Sequence, residues 1–230
     1  MFYDSTFLLL IPALIFSMYA SGKVRFTFNT YSGVMAKENL TGAEAARKML
    51  DHYGLHSVGI NGIGGELTDN YNPRVRLLNL SDSVYGSRSI GAISVACHEA
   101  GHAVQHEANF LPLKIRNAIV PAVNFASSAV FPMFFVGLLL LRSSAMGATL
   151  MNVAIIIFLV VVAFHLITLP VEIDASRRAM KAMKEMGLLA SDELVGARKV
   201  LTAAAMTYVA ALAMSLANLL RLIALRDRNS

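Results

Sequence analysis

A chain of 230 residues in which 56% are hydrophobic and only 15% charged, with a mean hydropathy of +0.56, cannot be a water-soluble globule, whose charged share runs near 25%. The single Cys97 excludes an internal disulfide and a thiolate zinc knuckle, so any metal has to be held by histidines and carboxylates. A net charge of +5 raises nucleic acid as a partner. Yet no basic run of five occurs, and 16 of the 20 Lys and Arg fall in two segments between apolar runs, which is a pattern of membrane topology and not of a nucleic-acid surface.

Four apolar runs, at 3–20, 118–141, 149–170 and 203–225, approach the roughly 20 residues that a helix needs to cross a bilayer. The first is read as a retained anchor and not a signal peptide, because Met1-Phe2-Tyr3-Asp4 brings no basic start and no small-x-small cleavage site precedes Lys23. Spans two and three are joined only by Arg142 to Ala148 and form a hairpin. Span four carries Asn218 and Arg221, and an interfacial helix is its alternative. Two polar segments remain, 21–117 and 171–202, and only these can hold an active site.

In the first polar segment Thr41-Gly42-Ala43-Glu44 has capping-box spacing and predicts a helix that Gly54 ends. Extended stretches follow at 56–63 and 74–80, separated by a turn-rich Gly62 to Pro73, and then a long helix from about Ser87 to Phe110. In the second, the helix of span three runs on through Glu172 and Asp174 to Met186, with Gly187 as its stop and Ser191 capping the next helix. Two crossings separate these segments, so they share a face. They carry 10 and 6 Lys and Arg, against one in the hairpin turn and three at the C-terminal end. The longer segment counts for little in such a comparison, but the shorter one still places both on the cytoplasmic side with the termini outside.

The chemistry centres on His98-Glu99-Ala100-Gly101-His102. At 100° per residue the two histidines stand about one turn apart on one helix face and can converge on one ion. Glu99, one residue on, can reach a metal-bound water without being a ligand. Zn²⁺ lowers the pKa of such a water towards about 7, and the carboxylate takes its proton. A catalytic zinc takes three protein ligands, and Ala108, six residues beyond His102, denies the site a third histidine of the extended type. His106, a further turn along, fits a polar supporting role better. The donors expected to complete the site are Glu172 and Asp174, just past span three. They point about 200° apart on one helix. Glu172 shares its line with His165, Thr168 and Ser176, whereas Asp174 stands four residues before Arg178, an ion-pair spacing. Glu172 is therefore the expected ligand, with Asp174, His106, His165 and Ser176 as candidate supporting residues. Cys97 reads as a small buried hydrophobe, Gly101 as a place of close backbone approach, and 74–81 either as a sheet edge for a peptide strand or as one strand of a plain hairpin.

The run Gly65-Glu66-Leu67-Thr68-Asp69-Asn70-Tyr71-Asn72-Pro73-Arg74, then Leu80-Ser81, Val84-Tyr85, Arg88-Ser89, His98 to Gln105, and Leu169 to Ala179 resembles the YugP-like bacterial membrane zinc metallopeptidases over most of the chain. That resemblance implies a zinc-dependent endopeptidase of the bacterial cytoplasmic membrane. His98 and His102 match zinc ligands, Glu99 the catalytic base, and Glu172 the glutamate ligand of the broader gluzincin group. In that group an Asp usually follows the ligand by four residues, where this chain has Ser176. The expected fold is a mainly α-helical integral membrane protein with about four transmembrane helices and a small zincin-like α+β catalytic segment. Its expected partners are a protein or peptide substrate and the lipid bilayer, with no nucleic acid. The rival readings are an intramembrane zinc protease, since Ile90 to Val104 is apolar enough to enter lipid, and a non-catalytic zinc-binding scaffold.

Overall fold

The computed structural model describes residues 5–141 and 144–228. The expectations placed on Met1 to Asp4 and on Arg142 lie outside the described residues. The chain divides into two compact units. The first comprises the described residues of Met1–Tyr19, Ile115–Leu169 and Thr207–Ser230, and the second Ala20–Lys114 and Pro170–Met206.

Among the described residues four helical stretches are long and apolar enough to cross a membrane: Ser5–Ser32, Leu111–Leu140, Ala145–Glu185 and Leu194–Asp227. A 3₁₀ turn over Ser5–Leu10 leads into α1 (Ile11–Ser32). Each helix outruns its apolar stretch towards the polar segments, because hydropathy marks where lipid would end and not where helical hydrogen bonding does. Within the first unit Val130, Phe134, Met151 and Phe158 pack with Leu222, while Phe125, Phe135, Leu139, Ile156 and Leu159 are exposed. Apolar faces of this extent belong against lipid or a partner. Helices α5 (Leu111–Leu140) and α6 (Ala145–Glu185) meet at a glycine pair. A Cβ on Gly137 would stand 2.9 Å from the Gly147 carbonyl oxygen, and one on Gly147 would stand 2.7 Å from that of Gly137. Small residues at a membrane helix crossing allow such an approach.

The second unit is built around one buried helix. α2 (Gly42–His52) opens with the expected capping box: Thr41 Oγ1 accepts from the Glu44 amide, and the Glu44 side chain accepts from the Thr41 amide. Gly54 follows its end at φ +73°. Three short strands come next, β1 (Gly59–Ile63), β2 (Asn70–Asn72) and β3 (Leu77–Ser81), then α3 (Asp82–Tyr85) and α4 (Ile90–Glu107). The strand order is β1-β3-β2, with β3 parallel to β1 and antiparallel to β2. The expectation that 74–81 offers a sheet edge is therefore overturned: β3 is the middle strand, and β1 and β2 are the edges. The segment read as turns also contributes β2, whose three residues are too few to leave an alternating pattern.

Ser89 caps α4 by accepting from the Ala92 amide at 3.1 Å. Fourteen of the 18 residues of α4 are buried, packed against Met49, Leu50, Leu78, Leu80 and Met183 in the core of this unit. Burial inside protein thus accounts for the apolar run from Ile90 to Val104, and α4 is not among the four long apolar helices. Gly187, at φ +62°, ends α6 as expected. Ser191 does not cap α7 (Leu194–Asp227). That end is tied by Glu193, whose carboxylate accepts from the Ala190 amide and from the Lys37 amide, both at 2.8 Å.

Candidate metal centre

His98 and His102 present their rings from one face of α4, edge to face with centroids 4.9 Å apart. The polar end of α6 passes directly over this face. Gly101 makes that possible, because a Cβ there would stand 2.7 Å from the Ala175 carbonyl oxygen. The crossing places Glu172, three residues before Ala175, opposite both rings. Its Oε2 lies 3.2 Å from His98 Nε2 and 3.4 Å from His102 Nε2. Glu172 is 2% exposed and each histidine 9%, so three donor atoms converge in a nearly dry pocket.

Glu99 stands beside them, and its carboxylate oxygen and the two histidine nitrogens all lie within 4.8 Å of one another. Among the described residues it has no hydrogen bond or ion pair of its own. Burial alone would push the His102 imidazole down, but the hydrogen bond and charge of Glu172 and the charge of Glu99 outweigh it and hold its pKa above the usual histidine value. A pocket whose field favours a proton at that nitrogen also favours a metal cation.

Behind the donor atoms the other ring nitrogens are held. His98 Nδ1 is 3.1 Å from Ser176 Oγ, and His102 Nδ1 is 3.0 Å from Gln105 Oε1. The Gln105 amide nitrogen donates to the Val171 carbonyl at 2.7 Å and to Asp174 Oδ2 at 2.9 Å. Both of those partners are acceptors, so that end of the amide has to be the NH₂. Its oxygen then faces His102 and can only accept. His102 must donate from Nδ1, which leaves the Nε2 lone pair free for a cation.

Four of the candidate residues, His98, His102, Glu172 and Ser176, thus meet directly. Asp174 forms the expected pair with Arg178, at 2.6 Å, and through Gln105 it also reaches His102. His106 lies apart, with Nδ1 3.0 Å from the Tyr71 hydroxyl. His165 belongs to the other unit, where its ring packs on Phe164. Cys97 is inert, its thiol pushed up to about 12 by complete burial. Gln105 was given no role on sequence grounds. Its spacing of three residues after His102, on the same helix face, is the signal that points to it.

Two imidazole nitrogens and a carboxylate oxygen form a donor set suited to Zn²⁺. The class so defined is a helical protein with several candidate membrane spans and a buried group that could hold a metal ion. A family model described as "Putative neutral zinc metallopeptidase" matches residues 6–227, and the chain belongs to that family. It is 47% identical over 225 residues, 96% of this chain and 98% of the other, to the "Putative membrane protease YugP" of Bacillus subtilis (strain 168). No solved structure matches the chain.

Proposed function

We propose that this chain is a multi-pass, zinc-dependent endopeptidase that hydrolyses peptide bonds in membrane-associated or misfolded proteins. The observation that carries the reading is the meeting of His98 Nε2, His102 Nε2 and Glu172 Oε2, with an unpartnered Glu99 carboxylate beside them. His98, His102 and Glu172 would hold the metal. Bound zinc would supply a polarised water of lowered pKa. Glu99 accepts a proton from the attacking water and passes it to the amine nitrogen that leaves as the peptide C–N bond breaks. Gln105 and Ser176 fix the rings of His102 and His98 from behind, keeping both Nε2 atoms aimed at one point. Asp174 steadies Gln105.

The metal content of detergent-purified protein tests this reading. Wild type should carry one zinc per chain and cleave an unstructured protein substrate, and His98→Ala should carry none and cleave nothing. Equal zinc in both would remove the site from these residues.

The membrane is read as the bacterial cytoplasmic membrane, with the metal-binding unit on its cytoplasmic face. The support is the six Lys and Arg in 171–202, set against one in the turn between the second and third spans and three in the C-terminal stretch. In a Cys97→Ser background, Lys37→Cys and Lys184→Cys should react with a membrane-impermeant maleimide only after lysis, and Ala145→Cys in intact spheroplasts. Labelling of Lys37→Cys from outside would reverse the orientation.

A further inference from the structure

A cavity of about 430 Å³ lies within the second unit, between the polar end of α1 and the start of α7, and it plays no part in the chemistry above. Its walls carry the cations Lys23, Arg198 and Lys199 and the hydroxyls of Thr27 and Thr202. No acidic side chain among the described residues lines it. Among the described residues none of the three cations has an ion pair, and neither hydroxyl has a hydrogen bond. Gly196 closes on the Tyr31 ring, where a Cβ would come within 2.6 Å, and Lys199 Nζ lies 5.9 Å over that ring. Arg198 and Lys199 therefore flank one end, near Tyr31. Lys23 stands eight residues earlier on α1, about 12 Å away at 1.5 Å per residue, and lines the same cavity as Ala203 and Met206.

That second end is where the apolar runs 3–20 and 203–225 meet the polar segments. The cavity is thus cationic at its far end and apolar, with one lysine, at the edge of the spans. A free phosphate would use the cations but not the apolar wall. A phospholipid uses both. We infer that this cavity binds the headgroup of one anionic phospholipid, its phosphate held by Arg198 and Lys199 and its glycerol end laid along Ala203 and Met206, where Lys23 adds a further positive charge. The bland alternative is that these cations belong to the general positive field of the cytoplasmic face. Their convergence on one concavity argues for a site.

Native mass spectrometry of the full chain, in detergent supplemented equally with phosphatidylglycerol and phosphatidylcholine, separates these readings. Each basic side chain at an anionic surface is worth about a fivefold change in affinity. The Lys23→Gln/Arg198→Gln/Lys199→Gln variant should therefore bind phosphatidylglycerol roughly 100-fold more weakly than wild type. A control with three cations removed elsewhere in the same unit, Lys48→Gln/Lys181→Gln/Lys184→Gln, should match wild type. Lys199→Gln alone should cost about fivefold, which keeps the test decisive if the triple variant does not fold. Equal weakening in the control, no preference for phosphatidylglycerol in wild type, or full retention in Lys199→Gln would each overturn the site. Displacement of the lipid by millimolar inorganic phosphate would reassign the cavity to the free anion.

Discussion

Glu99→Gln is expected to keep its zinc and lose its turnover. Among the described residues the Glu99 carboxylate holds no hydrogen bond, so an amide of the same shape leaves no donor or acceptor stranded. The three converging atoms, on His98, His102 and Glu172, are untouched. What disappears is the proton acceptor. General-base steps contribute about 10²–10⁴ in rate, and the loss of a charge within 4.8 Å of the histidine nitrogens adds to that at the developing transition state. Peptide hydrolysis and zinc content measured on the same preparation check this. Proteolysis at the wild-type rate would exclude Glu99 as the base, and stoichiometric loss of zinc would make it a ligand.

The parts of this site readable from the residues alone are those that depend on one helix. His98 and His102 are four apart, and helical geometry puts them together wherever the helix lies. Glu172 could be chosen over Asp174 because Arg178 offers Asp174 a partner of its own, and that ion pair is present. What could not be read depends on how helices cross. Gln105 gains its place only because α6 brings the Val171 carbonyl and Asp174 to it. Asp174, a candidate supporting residue on sequence grounds, joins the histidine network through that same amide, and it is the amide as go-between that no local pattern indicated. The close passage at Gly101 was legible as a possibility, but Ala175 as its partner was not.

The same limit governs the fold. Capping chemistry and left-handed glycines are local, so the Thr41 box, Gly54 and Gly187 fall where expected. The pairing of β3 with β1 joins residues 18 apart in parallel register, and no local pattern states which strand takes the middle. The apolar run of α4 fits a membrane span as well as a protein core until its neighbours Met49, Leu80 and Met183 are known.

Those crossings also set the sharpest contrast between two neighbouring carboxylates. Glu172→Ala should abolish zinc binding, while Asp174→Ala should leave zinc bound but 10–100-fold more weakly, the usual cost of a partner behind a ligand. Removing Glu172 takes away the one oxygen that faces both Nε2 atoms and leaves two imidazoles, one ligand short of a catalytic zinc site. Removing Asp174 deletes an acceptor of Gln105, but the Val171 carbonyl still holds the amide at 2.7 Å. Gln105 therefore keeps facing His102, and the ring keeps its tautomer. The Asp174–Arg178 pair is about a quarter exposed, so removing Asp174 also leaves a largely buried Arg178 without its partner and lowers stability. Zinc titration against a chromophoric chelator, with thermal unfolding of each variant as a check on folding, distinguishes the two roles. If zinc survives Glu172→Ala and vanishes in Asp174→Ala, the ligand is Asp174. A metal held by an aspartate just beyond the third span would then favour the intramembrane protease over the reading proposed above.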